Sequence, residues 1–207
     1  MKTRTFTTDT PITHTAIALI KGFAFSALFS FSCASFGENL NPMIDDFSNA
    51  NNNNLGIARQ FINDSIAGGG TTTTQEVTQG VINAKGDIIP PRGQPGWASL
   101  VLPLDAQSLP RDASAFEGVR LLIKINTGSL SVSANSTEIS NFDYHAAPVA
   151  VVADGKFHEV KIPFASMKRA WSEQTPLNTK TITSLSIVAF GVQKSAFDFV
   201  LDEVSFY

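Results

Sequence analysis

Residues 119–126 alternate in character along the chain: Val119, Leu121, Ile123 and Ile125 fall on one side, Arg120, Lys124 and Asn126 on the other. A period of two is that of a β-strand with one face in the core and one in water. Shorter stretches of this kind, rich in β-branched residues and bounded by Gly, Pro, Asn and Asp, recur from Met43 onward. They predict further strands near 43–47, 58–63, 75–84, 97–102, 129–136, 142–152, 157–162, 182–192 and 197–206. Ten short strands predict an all-β sandwich or barrel.

The segments between them fit that architecture. Asp154-Gly155 reads as a tight hairpin turn, because glycine accepts the positive φ such turns need, and Asn126-Thr127-Gly128 reads the same way. The stretch Pro90-Pro91-Arg92-Gly93-Gln94-Pro95-Gly96 has three residues without an amide donor and must be a surface loop. Phe164 to Trp171 is the one helical candidate, with Phe164, Met167, Lys168 and Trp171 at helical spacing after Pro163. Gly68-Gly69-Gly70 lacks the Gly-Lys-Ser/Thr ending of a phosphate loop and leads into four threonines, so it reads as a flexible bend between strands.

The amino-terminal 34 residues depart from this pattern. Lys2, Arg4 and Lys21 accompany an apolar run whose uninterrupted part, Gly22 to Phe31, is too short to cross a bilayer and suits a secretory signal peptide. Small residues at Ser32 and Ala34 place cleavage after Ala34; the competing reading makes Cys33 a lipidated first residue. The expected organisation is therefore a signal peptide over 1–34, a linker over 35–40 and one domain over 41–207, exported and without a transmembrane anchor once cleaved. Removing three positive charges and one negative shifts the net charge of the chain from −3 to −5 and takes away the single cysteine. Neither disulfides nor a thiolate nucleophile is then available. Of the 207 residues, 43% are hydrophobic and 16% charged, which excludes a disordered chain, and the acidic balance excludes a basic nucleic-acid binder.

Candidate chemistry is sparse. His145 and His158 stand apart with no zinc-type spacing, no Gly-x-Ser-x-Gly elbow occurs, and the acids are scattered rather than paired as a glycosidase requires. These observations name no catalytic residue, no metal ligand and no cofactor. The aromatic residues carry more. Trp and Tyr faces stack on sugar rings while neighbouring polar groups satisfy hydroxyls, which makes Trp97 and Tyr144 candidate ligand-binding rings and Asp143 and His145 candidate hydrogen-bonding groups. Alternation sends Asp143 and His145 to one face and Tyr144 to the other, so all three share a site only at a bulge or strand end. Trp97, after a Pro/Gly loop, and Trp171, at the end of the helical candidate, read as rim residues.

Met43-Ile44-Asp45-Asp46-Phe47, followed by Phe61-Ile62-Asn63-Asp64-Ser65-Ile66-Ala67-Gly68-Gly69, resembles the opening of the complex I intermediate-associated protein 30 family. The resemblance continues through Phe116-Glu117-Gly118-Val119-Arg120-Leu121, Phe142-Asp143-Tyr144-His145-Ala146 and the run Phe157 to Phe164, and closes with Phe199 to Phe206. Phe61 stands where that family usually carries Trp, and an export signal takes the place of a mitochondrial one. The resemblance implies a galactose-binding-domain-like jelly-roll β-sandwich, similar to family 11 carbohydrate-binding modules, with first and last strands adjacent. It further implies a non-enzymatic binding module whose partner is a glycan or cell-surface component, or else a protein, as for an assembly factor or chaperone of the respiratory complex I type. Sandwiches of this kind often hold calcium where the first and last strands meet. Asp46 and Asp202 are the two carboxylates at that place, too few alone for the six or more oxygens the ion takes.

Overall fold

In a computed structural model, residues 40–207 are described. The signal-peptide and linker expectations lie almost wholly outside them. Among the described residues, twelve strands form two six-stranded antiparallel sheets that pack face to face as a jelly-roll sandwich. The strands are β1 (Met43–Asp45), β2 (Gln60–Asn63), β3 (Thr72–Thr78), β4 (Val81–Ile88), β5 (Gly96–Pro103) and β6 (Gly118–Thr127). They continue with β7 (Ser129–Ser136), β8 (His145–Pro148), β9 (His158–Pro163), β10 (Lys168–Arg169), β11 (Ile182–Gly191) and β12 (Ser195–Phe206). The first sheet runs β3-β4-β12-β6-β9, with β1 also on β12. The second runs β10-β8-β7-β11-β5-β2.

The alternating positions fill the space between the sheets. Val119, Leu121, Ile123 and Ile125 of β6 meet Ile82 and Ala84 of β4 and Phe197, Phe199 and Leu201 of β12 in one core. Leu130, Val132 and Ala134 of β7, with Leu185, Ile187 and Ala189 of β11, close it from the other sheet. The first and last strands are adjacent, Met43 opposite Ser205. Beside them Arg59 grips Asp45 through two guanidinium nitrogens at 2.6 and 2.7 Å, with both side chains out of solvent.

Four local expectations are corrected. The strand expected at 75–84 is a hairpin: Gln79 and Gly80 take φ of 50° and 77°, which turns β3 back onto β4. Asp154-Gly155 and Asn126-Thr127-Gly128 are not hairpins, because the strands they join lie in different sheets. Gly128 is needed there for its φ of 96° and because a Cβ would meet Phe197 at 2.9 Å. The helical candidate is only a single 3-10 turn over Phe164–Ser166, after which the chain extends into β10. The amide of Ala170 and the side chain of Arg169 are taken by Asp143, and a helix would have needed that amide for itself. The strand expected over 142–152 is shorter, running from His145 to Pro148 with one further backbone hydrogen bond from Val149 to Leu130, and Phe142, with φ 62°, stands outside it.

Candidate functional site

The two outer faces of the sandwich differ in chemistry. On the first sheet, Thr74, Glu76, Asn83, Lys85, Lys124, Asn126 and Asp198 surround a shallow depression of about 300 Å³. Further along the same face Arg120 bridges Glu159 and Glu203. Charges of both signs neighbour one another there.

The outer face of the second sheet follows from the same alternation read in reverse. The core residues of β7, β11 and β5 leave Ser129, Ser131, Ser133 and Asn135, then Ser184, Ser186, Val188 and Phe190, then Trp97, Ser99 and Val101 pointing away from the interior. Register sets Trp97 beside Phe190, Ser99 beside Val188, Val188 beside Ser131 and Ser186 beside Ser133. Ile62 of β2 lies opposite Ser99 and is 43% exposed. Asn135 donates to the hydroxyls of Ser184 and Ser186 at 2.8 and 3.0 Å, fixing the orientation of three polar groups in the floor. Among the strand positions of this face only Lys168, on the edge strand β10, is charged. The serines of β7 and β11 were visible in the sequence as the polar half of an alternation, but they carried no chemical signature that marks them as a site.

At one corner of this face Asp143 organises an aromatic cluster. Its carboxylate is buried and accepts four hydrogen bonds: from the amides of Tyr144 (2.8 Å), Ala170 (3.0 Å) and Ser172 (3.0 Å) and from Nε of Arg169 (2.8 Å). Ala170 and Ser172 flank Trp171, and Phe142 and Tyr144 flank Asp143 itself. One carboxylate thus holds the backbone on both sides of Trp171 and turns three rings outward. Phe142 is 93% exposed, Trp171 61%, and Tyr144 meets Trp171 edge to face with centroids 5.3 Å apart. Burial pushes the Asp143 carboxyl up, but its hydrogen bonds from Tyr144, Ser172 and Arg169 outweigh that and hold it well below the usual carboxylate range. It is an anion saturated by the protein. His145 is likewise buried, with Nε2 2.7 Å from the carbonyl oxygen of Thr175.

Of the four residues singled out in the sequence, Trp97 and Tyr144 therefore stand on the outer face, while Asp143 and His145 point inward and support it. Trp97 and Tyr144 do not form one constellation. They are separated by three strand spacings of ~4.8 Å and about six residues of ~3.4 Å, roughly 25 Å in all. The floor of serines lies between them.

Of the two carboxylates considered for calcium, Asp46 is engaged by its own local turn. Asp46 accepts from the Ser48 amide at 3.0 Å, and its neighbour Asp45 is occupied by Arg59. Among the described residues there is no group of three or more His, Cys, Asp or Glu that could hold a metal ion. Nor is there among them a helix long and apolar enough to cross a membrane.

Comparison with solved structures places this architecture. The family 11 carbohydrate-binding module of the cellulosomal cellulase Lic26A-Cel5E of Clostridium thermocellum matches with a TM-score of 0.56 at 18% identity, over 79% of this chain and 92% of that one. The family 11 module from Clostridium thermocellum in complex with a β-1,3-1,4-mixed-linked tetrasaccharide matches with a TM-score of 0.56 at 17% identity, over 80% and 94%. An agarase, AgWH50C, matches at 0.52 and 8% identity, over 79% of this chain and 24% of that larger one. At these identities the likeness is one of fold. Comparison with curated protein sequences gives no match. The family description "Complex I intermediate-associated protein 30 (CIA30)" matches residues 47–202, three quarters of the chain and nearly all of the sandwich, and the chain belongs to that family.

Proposed function

We propose that the protein is an exported, non-catalytic binding module that lays a glycan chain across the outer face of its second sheet. The observation that carries this reading is the composition of that face: a nearly uncharged floor in which Ser129, Ser131, Ser184 and Asn135 reach solvent while Ser99, Ser133 and Ser186 are nearly covered, bounded by Trp97 and Phe190 at one end and by Tyr144 and Trp171 at the other. Hydroxyls and amides exchange hydrogen bonds with sugar hydroxyls, and ring faces cover the apolar side of a pyranose. The family 11 fold, one example of which is solved with a bound tetrasaccharide, supports the ligand class. Export rests on the leader over residues 1–34, with cleavage after Ala34.

A protein partner is the second reading, favoured by the family description and by the exposure of Phe142 and Trp171. One preparation separates them. The full chain is expressed with its leader, recovered from the exported fraction and weighed by mass spectrometry. It is then applied to a glycan array and to native gels cast with soluble β-glucans. Retardation by a glucan, lost in Trp97→Ala and Tyr144→Ala, supports the glycan reading. Binding to no glycan, with capture of one defined protein partner abolished by Trp171→Ala, overturns it. A mass that still includes residues 1–34 removes the export claim.

A further inference from the structure

Asp64 is a buried carboxylate in an unusual setting. It is fully out of solvent, and among the described residues no Lys, Arg or His lies within ion-pair distance. Its oxygens are met by three uncharged donors instead: the Thr71 amide at 3.0 Å, the Thr71 hydroxyl at 2.6 Å and the Trp97 amide at 3.1 Å. A buried carboxylate is costly unless its hydrogen bonds are made, so these donors are bound into a common arrangement with it.

The surroundings show how closely the backbone is fitted to that group. A Cβ on Gly69 would stand 2.2 Å from the Asp64 carboxylate, and one on Gly96 would stand 2.9 Å from Oδ2. Within the triple-glycine stretch, a bend by its sequence, Gly69 is the residue pressed against this side chain. Gly96 is the residue immediately before Trp97. The strand ladder stops one step short of this point: β2 ends at Asn63, which pairs with Ala98. Beyond it the Trp97 amide, which faces the β2 side, is received by the Asp64 side chain rather than by a backbone carbonyl. Thr71 extends the connection, since its hydroxyl also accepts the Ile89 amide at 3.0 Å at the entry to the proline-rich loop.

We propose that Asp64 is the positioning residue for Trp97: its carboxylate replaces the missing rung of the ladder, fixes the backbone on which the indole stands, and so sets one end of the glycan face. This rests on the reading that Trp97 lines that face. Asp64 itself, fully buried, touches no ligand.

Asp64→Leu tests it with little change of shape. Leucine branches at Cγ as aspartate does but accepts no hydrogen bond, so the Thr71 amide and the Trp97 amide both lose their partner. Two readouts are taken on the full exported protein: amide hydrogen exchange by NMR, with Ile123 in the core as reference, and retardation by a mixed-linkage β-glucan. The expected result is exchange at Trp97 faster by about tenfold relative to Ile123, with glucan affinity reduced by a similar factor. Unchanged exchange at Trp97 in the folded variant overturns the proposal, as does an equal acceleration at Trp97 and Ile123, which marks a merely global loss of stability. If Asp64→Leu does not fold, the wild-type protein still decides. The Trp97 amide lies past the end of β2 and is protected only if Asp64 holds it, so free exchange there overturns the assignment. If the wild type binds no glucan while Trp97 is protected and the variant releases it, the positioning role stands and the glycan reading fails.

Discussion

Asp143 shows what a single side chain can and cannot announce. The alternation Asp143-Tyr144-His145 is legible in the sequence, and it separates the outward ring from its inward neighbours. That the carboxylate is saturated by Arg169, Ala170 and Ser172, 26 to 29 positions further on, is not legible, because nothing local marks those donors. A polar residue beside an aromatic one looks the same whether it faces a ligand or anchors the ring. The anchoring role has a pH signature. The folded-state pKa of Asp143 lies below its unfolded value, so its contribution to stability is complete above the ordinary carboxylate value of ~4 and is lost as pH falls below it. Asp143→Asn should lower stability at pH 7 by about 3 kcal/mol, the low end for breaking a buried pair, since Arg169 still reaches solvent. The gap between variant and wild type should narrow as pH is taken below ~4. Thermal melts of both proteins across that range check it, and a gap independent of pH would show that the carboxylate's charge is not what holds the cluster.

At the scale of elements, strand identity was written in the periodicity and strand partnership was not. β6, β7, β11 and β12 lie close to where alternation puts them, because a sheet with one wet face demands alternation. The hairpin at Gln79-Gly80 escaped notice because Gln gives no turn signal, and its positive φ is imposed by the pairing of Thr78 with Val81. Conversely Asp154-Gly155 has strong turn chemistry yet serves a crossing between sheets. Turn residues specify a bend, and only the long-range packing of the strands decides what it joins. Gly80→Ala should therefore cost about 1 kcal/mol, as a left-handed position does for an L side chain, read as a lowered denaturant midpoint with an unchanged slope. The outer faces allow a cleaner separation of folding from binding. Ser131 faces outward between Val188 and Pro148, so Ser131→Arg removes nothing from the core and should change stability by no more than ~0.5 kcal/mol. If the serine floor is the binding surface, the same substitution places a long side chain across it and should abolish glucan retardation. Retardation equal to wild type would move the site off this face.

The described residues form a sandwich with two unlike faces, one carrying interleaved charges, the other a polar floor with rings at opposite corners. If that floor binds a glycan as proposed, the spacing of its corners makes a demand on the ligand that no single residue does. Trp97 and Tyr144 are roughly 25 Å apart on one continuous sheet, farther than a disaccharide reaches and within the span of a longer chain. Sites so far apart, with no shared partner, act independently on a rigid scaffold. A long β-glucan should therefore lose about 1–3 kcal/mol of binding in Trp97→Ala and again in Tyr144→Ala, the range of aromatic anchors, with the two losses adding in the double variant. A disaccharide engages one corner at a time, so its weaker binding should respond to one substitution and ignore the other. Titration calorimetry with a chain-length series measures this directly. Affinity that does not rise with length, or a double variant no weaker than the worse single one, would mean that the corners do not serve one ligand and that the face between them is not a continuous binding path.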